Sequence, residues 1–225
     1  MRRFKIIEKK IQENILILTI ETEDGGPFNF EAGQFASISI PGFGAKPAFF
    51  SIASPPAWSN KLQFTINIVG LRTKKLSEMN VGEILEVNGP FGKMRIPELE
   101  MIFIAGGVGI APFLSMMREI KEKNLDRKAT LFYSVRNPSL ILFKDELDNY
   151  NKTQNLKTCI TLTDEVPSWV GLKGRICPEM VNKFINDVQD KKYFICGPTK
   201  MGLAMKEMLM QMGVKEENID MEAWG

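Results

Sequence analysis

The chain of 225 residues contains no histidine. Imidazole acid–base catalysis and imidazole ligation of zinc or haem are therefore excluded. Cysteine is scarce. Cys159, Cys177 and Cys196 lie far apart and none belongs to a CxxC pair. That spacing argues against an iron–sulfur cluster within the chain, and no metal site is expected. An odd, scattered set of cysteines fits a reducing compartment better than a disulfide framework. No apolar run is long enough to span a bilayer, so membrane insertion is not expected. The N-terminal MRRFKIIEKKI lacks the apolar core and cleavage site of a signal peptide, and we read the chain as cytoplasmic. A formal net charge of +2 without a dominant basic tract argues against a nucleic-acid partner. If the protein moves electrons, its redox centre must be an organic cofactor.

Among what is present, the run Ile102–Pro112, IFIAGGVGIAP, carries the most information. Ile102 to Ala105 read as a buried parallel strand. Gly106, Gly107 and Gly109 then make a tight turn, and the apolar spacing from Ile110 onward predicts a helix. Strand, glycine turn and helix N-terminus together suit an anion, because backbone N–H groups converge where the helix dipole favours negative charge. Pro112 stands where the usual dinucleotide fingerprint has its third glycine. A second strand end, Cys196–Gly197–Pro198, follows YFI and precedes a helix. Read alone, it is an ordinary turn with proline opening a helix and a small buried cysteine. Beside the first motif on one sheet edge, it reads as part of a site.

Two rhythms divide the chain. Up to Pro97, short β-patterned runs alternate with turns at Gly25–Gly26, Pro41–Gly44 and Pro55–Pro56. The predicted strands are Phe4–Glu8, Ile15–Ile20, Phe35–Ile40, Phe49–Ala53, Leu62–Ile68 and Ile84–Val87, with a short helix over Thr73–Met79. This spacing predicts a closed or nearly closed antiparallel barrel over residues 1–97. From residue 98, strands at Met101–Ala105, Ala129–Val135, Lys157–Leu162, Lys192–Cys196 and Ile219–Glu222 alternate with helices at Ile110–Lys121, Phe143–Leu147, Pro178–Phe184 and Lys200–Met212. That alternation predicts an α/β domain over 98–225, a parallel sheet with helices on both faces and ligands at the carboxyl ends of its strands. Met201, Met205, Met208, Met210 and Met212 of the last helix read as core filling.

The segments FFSIAS, GLRT, VGEILEVNGPFG, IAGGVGIAP, YSVRNPSLILFKDEL, CGPTKM and the terminal EAW stand in order across nearly the whole chain. In this the sequence resembles the ferredoxin–NADP reductase superfamily, whose members pair a flavin-binding barrel with a nucleotide domain. The resemblance implies FAD and NAD(P)H as cofactors. It implies Phe50 against the isoalloxazine ring, Ser51 hydrogen-bonding near its reactive N5, and Ile52, Asn67 and Val69 flanking the flavin. Gly70 and Thr73 would hold the flavin pyrophosphate. Gly106, Gly107, Gly109 and Pro112 would hold the nicotinamide nucleotide's pyrophosphate, with Ser134 at the neighbouring strand end. Cys196, Gly197 and Pro198 would sit beside the nicotinamide. Glu222 and Trp224 match the terminal Glu-x-aromatic whose ring covers the flavin. The implied catalytic group is thus Ser51, Cys196, Glu222 and Trp224.

Two departures stand out. The superfamily's Arg-x-Tyr-Ser falls on Ala48, Phe49, Phe50 and Ser51, so the pyrophosphate arginine and the tyrosine hydroxyl are missing. Loss of one charge-assisted phosphate contact weakens flavin binding by about 1.5–3 kcal/mol. Strand alternation puts Lys46 on the face of Ala48, either as a substitute point charge or as a solvated lysine. After Lys157–Leu162, Asp164 and Glu165 stand where NADPH users carry serine and basic residues. A carboxylate accepts a ribose hydroxyl and repels a 2′-phosphate, which favours NADH. Arg136 leaves NADPH open, and Asp164 also suits a plain turn.

The reading is an FAD-dependent NAD(P)H oxidoreductase. It passes hydride from NADH to flavin and electrons to an acceptor protein or free flavin. The alternatives are an electron-transfer subunit of a larger redox complex, or a nucleotide-binding module that has lost its flavin.

Overall fold

The structure, a computed structural model, describes every residue except Ala45, Trp224 and Gly225. Its contacts divide the chain into two compact units.

The first unit comprises Met1–Ile96 and Ala111–Leu125. Its strands are β1 (Arg2–Gln12), β2 (Ile15–Thr22), β3 (Phe35–Ser39), β4 (Ala48–Ser51), β5 (Lys61–Asn67) and β6 (Ile84–Phe91), with helix α1 (Leu71–Glu78) between the last two. In β1 the buried Phe4 and Ile6 alternate with the outward Arg3 and Lys5, the period of a half-buried strand. All pairings are antiparallel in the order β4-β3-β6-β1-β2-β5. The two ends of this order meet in a bridge between Ile52 and Phe64, which closes the barrel. Phe4, Leu16, Leu18, Phe64 and Leu85 fill the interior, and Leu76 and Met79 of α1 pack on it. Full burial of Leu76 contributes about 2 kcal/mol to holding that helix. Lys9 Nζ ties its other end, donating to Ser77 O at 2.6 Å and Met79 O at 2.5 Å.

The second unit holds β7 (Met101–Gly106), and the chain then passes through a 3₁₀ turn (Gly107–Ile110) into α2 (Ala111–Glu122). There follow β8 (Ala129–Val135), α3 (Lys144–Tyr150), β9 (Leu156–Leu162), β10 (Leu172–Lys173), α4 (Pro178–Phe184), β11 (Lys192–Gly197), α5 (Thr199–Gln211) and β12 (Ile219–Ala223). The strands form one parallel sheet in the order β10-β9-β8-β7-β11-β12. Every residue of β7 is buried, as expected of a central strand covered on both faces.

Helix α2 differs from a simple division at residue 97. It groups with the barrel rather than with the sheet from which it emerges. The reason is polar. Arg118, almost fully buried, donates to Ala53 O and Gln63 Oε1, both at 2.9 Å, and lies over the Trp58 ring. Ser115 Oγ donates to Ser54 O at 2.7 Å, and Ser54 Oγ accepts the Gln63 N–H. Buried donors and acceptors satisfied in one network fix the helix on the barrel.

Candidate functional site

In the parallel sheet the winding reverses between β7 and β11. From β7 the order proceeds through β8, β9 and β10 to one edge, and from β11 to β12 at the other. Ligands of open α/β sheets bind outside the strand carboxyl ends at such a reversal. Both glycine motifs lie there. β7 ends on Gly106 and β11 on Gly197, with Pro198 as the N-cap of α5. The two ends touch backbone to backbone. A β-carbon on Gly109 would stand 2.3 Å from Cys196 O and 2.8 Å from Gly197 Cα. One on Gly197, where φ is +155°, would stand 3.0 Å from Gly106 N. No side chain fits, so peptide groups line this crevice. Gly107 is there for another reason: its φ is +55°, and nothing lies within 4 Å of an added β-carbon.

Cys196 is fully buried, so what it presents beside Gly109 is its backbone carbonyl. Met201, in the first turn of α5, covers the glycines. Its Sδ lies 2.6 Å from a β-carbon position on Gly106, and its Cε 2.9 Å from one on Gly197. Read as core filling, the methionines of this helix divide. Met205 and Met208 are buried, Met201 and Met212 only partly, and Met210 is exposed. Pro112 is the second residue of α2, a position where a missing N–H is harmless.

The neighbouring strand ends carry the residues expected to meet a ribose. Ser134 pairs with Gly106 across β7 and β8 and is half-buried. Arg136 and Asp164 are exposed just beyond β8 and β9, and Asp164 N–H donates to Arg136 O at 2.9 Å. On the other side, Glu222 of β12 stands level with Cys196. Burial, with a contribution from the Asp220 carboxylate, pushes its carboxyl up to about 7. Its Oε2 is buried without a hydrogen-bond partner among the described residues. Trp224, expected beside it, lies outside the described residues.

In the barrel unit, β4 puts Phe50 partly into the core, while Phe49 projects outward and meets Phe35 and Phe91 edge to face. Ser51 is buried. Ile52 is wholly buried and its N–H goes to Gln34 O, so it closes the barrel and offers a ligand no side chain. Asn67, Val69 and Gly70 are exposed before α1. Gly70, the N-cap of α1, has no side chain to cap it, and no acid occupies the first turn. The first N–H groups of a helix have no intrahelical partner, so this end is open to an anion. Thr73 shapes the turn. Its Oγ1 accepts the N–H of Val69 (3.0 Å) and of Gly70 (3.1 Å) and donates to Gly70 O. Lys46 is exposed and lies outside β4, which starts only after Pro47, so strand alternation does not carry it to the face of Ala48. A separate cavity of about 520 Å³ lies toward the C-terminal end of α1, lined by Lys75, Met79, Ile40 and Glu83 among others. It contains none of the expected site residues.

A family model described as the oxidoreductase NAD-binding domain matches residues 103–207, which hold both glycine motifs. The reductase component of phenol 2-monooxygenase from Pseudomonas sp. (strain CF600) is 30% identical over 206 residues, covering 87% of this chain and 58% of that protein. The chain is thus similar to a redox reductase component over most of its length, and its second half to an NAD-binding domain. Sulfhydrogenase 2 subunit gamma from Pyrococcus furiosus is 29% identical over 232 residues, covering 96% of this chain and 75% of that protein. The FAD/NAD-binding domain of nitric oxide dioxygenase from Vibrio cholerae superposes with a TM-score of 0.87 at 19% identity, covering 100% of this chain and 98% of that one, and so shares the fold. The chain spans little more than half the length of the phenol reductase component.

Two residues beside these positions do not stand out in the sequence. Met201 was visible only as one methionine among many, although its place three residues after Pro198 sets it in the first turn over the glycines. Arg72 stands inside the GLRT segment, where attention falls on Gly70 and Thr73. Among the described residues no helix is long and apolar enough to cross a membrane, and no group of cysteine and acidic side chains could hold a metal ion.

Proposed function

We propose that the chain is an FAD-dependent NADH oxidoreductase that hands electrons to an acceptor protein or to free flavin. The observation that carries this reading is the backbone contact between Gly106–Gly109 and Cys196–Gly197 at the point of sheet reversal. Bound there, the nucleotide's pyrophosphate faces the N–H groups of the glycine turn, and its nicotinamide end lies by Cys196. The residues of the barrel unit also fit FAD. The first turn of α1 is open and free of acids, and the Nε of its Arg72 is buried without a hydrogen-bond partner among the described residues. When bound, FAD supplies hydride acceptance at N5 and release of electrons singly or in pairs. The protein's part is orientation and exclusion of water. Phe50 offers an apolar ring and Ser51 a sheltered hydroxyl at the end of β4. Glu222 holds a proton to near neutral pH beside Cys196. Asp164 favours NADH by repelling a 2′-phosphate.

The test is spectroscopic. The purified chain, supplied with FAD, should show the visible flavin bands, and anaerobic NADH should bleach them faster than NADPH does. A colourless protein that takes up no FAD yet binds NAD⁺ would favour a nucleotide-binding module. The likeness to a sulfhydrogenase subunit over 96% of the chain supports a second reading, a subunit that works within a larger redox complex. A chain that NADH reduces but that transfers nothing to free flavin points to this second case.

A further inference from the structure

Helix α5 covers β11 and β12 with one face, where Gly202, Met205, Met208 and Leu209 are buried. The opposite face is open to solvent. Lys200, Leu203, Ala204, Glu207 and Met210 recur there at spacings of three and four, and all are exposed. Leu203 is 55% exposed and Met210 46%. The outer stripe of a helix is ordinarily polar, and here its centre is apolar, Leu203 beside Ala204. Charges of opposite sign flank that centre. Lys200 lies one turn before it and Glu207 one turn after it, so the two stand two turns apart on one line. Neither enters an ion pair among the described residues. Glu207 accepts a long hydrogen bond, 3.4 Å, from Gln211 Nε2.

We infer that this face of α5 seats a second copy of the chain, the two helices running antiparallel about a two-fold axis between Leu203 and Ala204. The order of charge along the stripe selects this occupant. A two-fold interface brings one patch against itself, so the patch must be self-complementary, a symmetry that a foreign partner would not require. Turning α5 about that axis sets Lys200 of each copy against Glu207 of the other. It also sets Leu203 of each copy against Ala204 of the other, a large side chain against a small one, so the helices approach closely. Parallel pairing would instead oppose like charges at both positions. The ion pairs are exposed and fix register more than strength, and the face is small, so the pair dissociates on dilution. None of this depends on the flavin reading.

The experiment measures the mass of the full chain by sedimentation equilibrium over an about hundredfold range of concentration. Wild type should pass from monomer to dimer. Lys200→Glu and Glu207→Lys should each raise the dissociation constant about tenfold or more, because each opposes like charges twice. An acid in the first turn suits the helix dipole, so a loss with Lys200→Glu is not a loss of helix. The double swap, Lys200→Glu with Glu207→Lys, should return the constant to within about threefold of wild type, which damage to either copy would not allow. A short bismaleimide should join Ala204→Cys chains into covalent dimers. It should leave Met210→Cys chains at the wild-type level, because those positions stand about 20 Å apart along the paired helices. A monomer at every concentration would overturn the inference and leave this face to a different protein. A dimer that neither single swap weakens, or that the double swap does not restore, would overturn it as well, because such a dimer uses another face or another register. Cross-linking through Met210→Cys in place of Ala204→Cys would refute the antiparallel arrangement.

Discussion

Gly109→Ala is the sharpest perturbation of the nucleotide crevice. The added methyl meets three backbone atoms, Cys196 O at 2.3 Å, Cys196 C at 2.5 Å and Gly197 Cα at 2.8 Å. None is the end of a flexible side chain, so the turn and the end of β11 must separate. Overpacking a tight site costs about 1–3 kcal/mol, and three backbone collisions put this one near about 3 kcal/mol. For a chain of this size that lowers Tm by about 6–12 °C. Parting the two strand ends also misplaces the peptide groups expected to face the ligand, so NAD⁺ binding should weaken by about tenfold or more. Gly107→Ala is the matched control. It has open space but a left-handed φ of +55°, so it should lose about 1 kcal/mol through strain alone. Thermal unfolding and calorimetric titration with NAD⁺ read both quantities. If Gly109→Ala keeps wild-type stability and nucleotide affinity, the contact between the two strand ends is not what shapes the site.

Three further predictions test other parts of the reading. Asp164→Ser should narrow the preference for NADH over NADPH in kcat/KM by roughly fivefold, about 1 kcal/mol of removed repulsion; an unchanged ratio, or a wild type that prefers NADPH, removes Asp164 from nucleotide choice. Glu222 releases its proton near pH 7 when folded, against 4.5 for the ordinary group, so the folded state holds the extra proton between those values and stability falls as pH rises through that window. Glu222→Gln should flatten that part of a Tm-against-pH curve, and parallel curves for the two proteins would contradict the assignment. Arg118→Met should lower stability by about 2–3 kcal/mol in urea unfolding, because Ala53 O and Gln63 Oε1 lose a charged donor; a change below about 0.5 kcal/mol would mean that α2 is held by apolar packing alone.

Much of the fold was legible because its signals are local. The alternation of Phe4 and Ile6 with charged neighbours, or the apolar run before Gly106, reports a strand without knowledge of its partners. The two-residue strand Leu172–Lys173 was not visible, because so short a pairing leaves no periodic mark. The place of α2 was not legible either. Ser115 and Arg118 read as ordinary polar positions of a helix, and only the carbonyls of Ala53 and Ser54, far away in sequence, turn them inward. At the candidate site, the glycines announced themselves as residue types, whereas their contact depends on β11 lying next to β7, a fact of strand order. Strand alternation does not reach Lys46, because β4 begins only after Pro47.

The membership of α2 has a consequence for cutting and recombining this protein. The chain passes between its two units at 96/97, 110/111 and 125/126, so neither unit is one continuous segment. A chimera joined at residue 97 would take the barrel of one parent and the helix that completes it from another. Its buried arginine and serine would then meet foreign carbonyls, and the graft would fail at the barrel even though every barrel strand had been kept. Functional exchanges in this protein should therefore carry 111–125 with 1–96, as a circularly permuted or three-piece design.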